Sequence, residues 1–196
     1  MRVRFASIVV NAALTGALAC TLPAIAGQPA HYTLDAANSV ISARVGFLGI
    51  ASKTAHFPDI SGRIRLDPER PGPIDLDVTL NARTLKAGDR ATLDRLKGPH
   101  FFDVERYPAI RFVGRSMRMT GQRTADVDGE LTTRGITRQE VLHVTFETPP
   151  GQISGRDPVS FTGIMAIDRR HYGMTAYSLV VGNRVTIAIK ARMVPT

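Results

Sequence analysis

Apolar side chains fall on every second position through most of the chain, which places them on one face of an extended strand. Ile74, Leu76, Val78 and Leu80 alternate with Asp75, Asp77 and Thr79; Leu142, Val144 and Phe146 alternate with His143, Thr145 and Glu147. Near the end Val185, Ile187, Ile189, Ala191 and Met193 alternate with Thr186, Ala188, Lys190 and Arg192. Ile64 and Leu66 give a shorter copy, and 40–48, 109–119, 126–133 and 159–168 carry similar patterns. Turn chemistry separates the runs at Asp67-Pro68, Pro71-Gly72-Pro73, Gly121, Asp128-Gly129, Arg134-Gly135, Pro149-Pro150-Gly151 and Gly182-Asn183. One stretch departs: across 89–97 Arg90 and Asp94, and Leu93 and Leu96, stand at helical spacing, and Gly98-Pro99 stops the helix.

The pattern predicts an all-β chain of about eight antiparallel strands with one short helix near 89–97, in a single domain. A sheet of that many strands closes into a barrel or folds into a sandwich. An immunoglobulin-type sandwich usually carries a core Trp between paired cysteines, and this chain has no Trp and one Cys. Closure removes the exposed edges, and an eight-stranded barrel can hold one small ligand.

The first residues read differently. Arg2 and Arg4 precede an uncharged apolar run from Phe5, and Ala24-Ile25-Ala26 offers small residues at the spacing a signal peptidase requires. The segment 1–26 is therefore expected to be a signal peptide cut after Ala26, leaving 27–196 as one periplasmic or secreted domain. An uncleaved anchor is the rival, weakened by Asn11, Gly16 and Pro23. Acylation at Cys20 is another, with Leu18 two residues ahead a poor fit. No later apolar run reaches spanning length, so no stable membrane insertion is expected after the leader is removed.

Composition narrows the chemistry. The 196 residues carry a formal charge of +8, but the arginines punctuate strands without forming a basic run. Without Trp and with four Tyr, the chain lacks the stacking surface of a nucleic-acid binder. The single Cys excludes a disulfide within the chain and a multi-cysteine zinc site, and His31, His56, His100, His143 and His171 form no metal-binding spacing. No nucleophile elbow, phosphate loop or dinucleotide fingerprint is present, so neither catalysis nor a cofactor is expected. The inward faces are more informative. Phe47, Phe57, Phe112, Met117, Phe146, Phe161, Met165 and Met174 could fill a core or line an irregular cavity for a flexible apolar chain. Periodicity does not separate filled from hollow.

Several segments carry a resemblance. Tyr32-Thr33-Leu34-Asp35 with Asn38-Ser39 opens the domain, and Leu96-Lys97-Gly98-Pro99-His100-Phe101-Phe102-Asp103-Val104 precedes Tyr107-Pro108-Ala109-Ile110-Arg111-Phe112. Gly129-Glu130-Leu131-Thr132, Gly135-Ile136-Thr137, Asp168-Arg169-Arg170-His171-Tyr172-Gly173-Met174 and Val181-Gly182-Asn183-Arg184-Val185 follow in order. Over 31–194 these resemble the YceI-like family, also described as polyisoprenoid-binding periplasmic proteins. The resemblance implies a lipocalin-like barrel with an elongated apolar channel that binds long-chain isoprenoid or fatty-acyl amphiphiles without covalent chemistry, and it leaves room for a homodimer. Asn38 stands where the family commonly has His, and Arg170-His171-Tyr172 where it commonly has Ser-Asp-Phe. These departures are expected at the channel mouth.

The leading expectation is thus a carrier or sequestering protein, with Arg169, His171 and Tyr172 as head-group contacts. One alternative is a non-lipid binding or stress-response module with a packed interior. A second is an enzyme, which would need two or more of Asp35, His100, Asp103, His171 and Tyr172 to meet in a pocket.

Overall fold

The computed structural model describes residues 30–66, 72–153 and 155–196. The expected leader over 1–26, the turn at Asp67-Pro68 and Pro71 lie outside the described residues. Among the described residues eleven strand segments follow one another: β1 (Ala30–Leu34), β2 (Val40–Phe47), β3 (Ala51–Phe57), β4 (Ile60–Leu66), β5 (Pro73–Asn81), β6 (Lys86–Ala87), β7 (Ala109–Met119), β8 (Thr124–Thr133), β9 (Ile136–Phe146), β10 (Val159–Asp168) and β11 (Val181–Pro195). One helix, α1 (Arg90–Lys97), lies between β6 and β7.

Eight of these strands form an antiparallel ring in the order β1-β4-β5-β7-β8-β9-β10-β11, and β11 closes it by pairing with β1. The wall is completed by β2 and β3. β11 is long enough to pair with β2 from Val181 to Lys190 and with β1 at Met193–Pro195. In effect β1 and β2 are two halves of one bent strand, and β3 and β4 are two halves of its neighbour. The first break is built by Asp35, whose carboxylate accepts from the Asn38 backbone N–H and, at 2.7 Å, from Asn38 Nδ2. Ser39 Oγ then accepts from the Arg192 N–H at 3.0 Å, tying the bend to β11. The second break falls at Pro58, which has no N–H to give a ladder.

Two sequence expectations change here. Asp128-Gly129 is not a turn but lies inside β8, where β7 approaches so closely that a Cβ on Gly129 would stand 2.5 Å from the Val113 carbonyl oxygen. Gly182-Asn183 likewise belongs to β11, at a register irregularity opposite β2. The helix forms as expected. Asp89 caps it by accepting from the Thr92 N–H at 2.7 Å, and Gly98 ends it. Lys53 reaches Asp89 at 2.9 Å, and with the capping bonds this holds the carboxyl well below the usual carboxylate range.

The inward faces share one apolar interior that includes Ile41, Phe57, Leu76, Phe112, Leu131 and Leu142. On the outer face, opposite charges meet in cross-strand pairs. Arg111 grips Asp77 with Nε and Nη2, both at 2.8 Å, and Asp126 lies between Arg118 at 2.6 Å and His143 at 2.7 Å. Tyr32, Val159 and Met193 pack a smaller cluster at the end of the barrel where β1 begins. The β2–β3, β5–β7, β8–β9 and β10–β11 connections all leave the opposite end, and α1 sits among them.

Candidate functional site

Alternating side chains of β11 from Val181 to Met193 face a cavity that runs through the barrel. Twelve steps of extended chain cover about 40 Å at roughly 3.3 Å per residue. The cavity volume is about 150 Å³. The space is therefore long and narrow. Its walls are apolar nearly throughout. The polar residues along it are Lys53, Thr54, Thr133 and Arg169.

The loop end is built from three segments. After Gly98-Pro99 the chain folds back on the helix, with the Phe102 N–H donating to Leu96 O at 2.9 Å and the Val104 N–H to Lys97 O at 3.0 Å. That return aims both phenylalanine rings into the cavity wall. Phe102 meets Phe57 edge-on with centroids 5.8 Å apart, and Phe101 stacks on Tyr177 at 6.0 Å. Asp103 is half-buried with φ +48°, and its carbonyl accepts the Arg106 and Tyr107 N–H groups.

Arg169 holds the third segment. Its side chain is 2% exposed and donates through Nε to Gly182 O at 2.9 Å, through Nη1 to Met174 O and to Ala176 O at 2.9 Å, and through Nη2 to Val181 O at 3.0 Å. Four of the five N–H donors of a guanidinium are thus spent on backbone carbonyls of the β10–β11 connection and the start of β11. Burial lowers its pKa from the ordinary value. Its guanidinium carbon lies 5.9 Å from the Phe101 ring centroid, so the charge contributes to the cavity's upper wall.

The expected site residues divide between two environments. Phe57, Phe112, Phe161, Met165 and Met174 line the cavity, as does Arg169. Phe146 packs on Phe161 from outside the lining, and Met117 is buried but does not reach it. A register shift between Gly114 and Ser116 moves Met117 off the simple alternation. Phe47 stands at the loop end under the Lys53 ammonium, 5.5 Å from its centroid. His171 is exposed, and Tyr172 is buried in the wall with its hydroxyl donating to Glu140 Oε1 at 2.7 Å. The four-residue turn over Arg169–Tyr172 sends successive side chains in different directions, which separates Arg169 from its two neighbours. Asn38 and Ser39 lie at the bend in the wall and not at the mouth.

Phe101, Phe102 and Lys53 also line the cavity, at positions that strand alternation does not mark. The phenylalanines follow a loop, where alternation says nothing about direction, and an inward lysine breaks the very pattern that marks a strand.

A YceI-like domain model matches residues 32–193. The chain belongs to the YceI-like family. Among relatives, it is 27% identical over 158 residues to a UPF0312 protein of Pseudomonas savastanoi pv. phaseolicola, covering 76% of this chain and 80% of that protein. A UPF0312 protein of Pseudomonas putida is 26% identical over 153 residues, with the same coverage. Among solved structures, BcnA of Burkholderia cenocepacia superposes with a TM-score of 0.72 at 22% identity, over 81% of this chain and 98% of that one. A Saccharophagus degradans domain described as polyisoprenoid binding gives 0.66 at 12% identity, over 86% and 99%. At such identities the likeness establishes the shared fold, a YceI-like barrel. Among the described residues, no group of three His, Cys, Asp or Glu side chains could hold a metal ion, and no helix is long and apolar enough to cross a membrane.

Proposed function

We propose that this YceI-like protein carries or sequesters a long-chain apolar ligand, an isoprenoid or fatty-acyl amphiphile, in the barrel, and does so in the periplasm or after secretion. The observation that carries the reading is the long, narrow, apolar cavity running the length of β11. A chain entering it gains about 0.8 kcal/mol per buried methylene, so a long tail is held tightly with few polar contacts. The polyisoprenoid-binding description of the Saccharophagus degradans domain supports the same ligand class. The packed-interior alternative is disfavoured by the open space. The enzymatic one loses its premise at the cavity, since none of Asp35, His100, Asp103, His171 and Tyr172 lines it.

Organic extraction and native mass spectrometry of protein purified from its own host test the proposal. The expected result is a stoichiometric amphiphile with a single long apolar tail. Repeated recovery of ligand-free protein that also fails to take up such amphiphiles would sink it. Mass spectrometry of the purified chain also reads the N-terminus, expected at Gly27.

A further inference from the structure

The two most exposed large apolar side chains among the described residues sit at the same end of the barrel. Leu179 is 100% exposed and Ile50 95%, and Leu48 and Tyr177 beside them are each about half exposed. They come from two connections, β2–β3 and β10–β11, joined where the Leu48 N–H donates to Val180 O at 2.8 Å. Scattered surface leucines need no explanation, but a cluster of protruding tips on coupled loops marks an interaction surface.

The β2–β3 turn adds a second observation. Leu48 has φ +52° and Gly49 φ +72°, two successive residues with the positive φ that glycine and asparagine adopt most easily. Asn-Gly suits such a turn, whereas a leucine accepts backbone strain there and is left in water besides. Two local rules are broken at one residue, which is where function is sought.

The surroundings say what the surface meets. Arg95 lies 5.9 Å from the Tyr177 ring, Lys97 follows at the end of α1, and Arg44 lies on β2, three residues before Phe47. None of these three has a carboxylate partner among the described residues. Of the acids at this end, Asp89, Asp94, Glu105 and Asp168 are held by Lys53, Arg90, Arg83 and Arg170, and Asp103 is half-buried. The patch is also continuous with the cavity, whose lining at this end includes Val45, Lys53, Phe101 and Val181.

From apolar tips, a fringe of unpaired cations and the adjoining cavity mouth, we infer that this end of the barrel docks on an anionic lipid bilayer, with Leu48, Ile50, Tyr177 and Leu179 dipping below the headgroups. The inference adds a place of loading to the proposed ligand binding and rests on that reading for its purpose, though not for the docking itself. A tail could then pass between bilayer and barrel without crossing water.

Protein purified from cells expressing the full-length gene is co-sedimented with vesicles of phosphatidylethanolamine and phosphatidylglycerol, or of phosphatidylcholine alone. The expected result is binding to the anionic vesicles at least tenfold tighter than to the neutral ones. Ile50→Ser with Leu179→Ser should lower it at least tenfold with an unchanged thermal midpoint, because neither side chain packs in the fold. Wild-type protein that stays in the supernatant, or a double variant that sediments like wild type, overturns the inference. An Ala43→Phe variant, with bulk added inside the cavity, separates the two ideas: docking without ligand leaves this inference standing, and ligand without docking removes it.

Discussion

Arg169 and Tyr172 are both polar and buried, three residues apart, and they are satisfied in opposite ways. Arg169 spends its donors on carbonyls and keeps its charge beside the cavity; Tyr172 keeps its proton and gives it to Glu140. Burial first, and then the Glu140 carboxylate, push the Tyr172 phenol well above its ordinary value. In the unfolded chain that phenol ionises near pH 10. Its contribution is therefore fully present below about pH 10 and is lost as pH rises from there toward the higher folded value. Tyr172→Phe is expected to cost about 1.5 kcal/mol at neutral pH, the loss of one hydrogen bond to a carboxylate. It should also flatten the alkaline fall in stability, without abolishing it, because Tyr32 is shifted upward too by burial and by Asp157. Urea midpoints at pH 7 and pH 11 check both halves.

At the scale of elements, the strands that alternate cleanly were legible, and the strand that does not was missed. β3 reads Ala51-Ser52-Lys53-Thr54-Ala55-His56-Phe57, and its inward positions are small or charged until Phe57. No periodic signal exists there because β3 borrows its apolar cover from β2 and from Phe102. The helix was legible because its cap, its stop and its i,i+4 pair are all local. Gly129 shows the reverse error, since a glycine after an aspartate reads as a turn but answers here to a neighbour distant in sequence. A Cβ there would meet Val113 O at 2.5 Å, Phe112 Cζ at 2.7 Å and Gly114 Cα at 2.9 Å. Backbone cannot yield as a flexible side-chain end can, so Gly129→Ala is expected to lower stability by at least about 1–3 kcal/mol. A urea midpoint equal to wild type would show that β7 and β8 separate more easily than their packing implies.

For the whole molecule, the decisive quantity is the distance between opposite walls. Strand number and stagger set it, and eight strands sit at the boundary between a filled interior and one that holds a ligand. Ala43 lies on the lining of β2, so a large ring there takes up space without cutting any ladder. Ala43→Phe is expected to reduce co-purifying amphiphile at least tenfold while the thermal midpoint shifts by a few degrees at most. Extraction of equal protein amounts, with a melting curve beside it, reads both.

By itself the sequence determined which residues leave water and with what period, because alternation is a property of the local backbone. That was enough for an all-β domain, for the short helix and, through the blocks around Phe101-Phe102 and Arg169, for the family resemblance. Five of the eight apolar residues singled out as lining do reach the cavity. The tertiary structure alone decided that the walls stand apart, that β11 spans both halves of the bent β1–β2 strand, and that Arg169 clamps a loop while His171 turns to solvent. Those outcomes depend on closure and on contacts between distant segments, and a period of two carries no information about either.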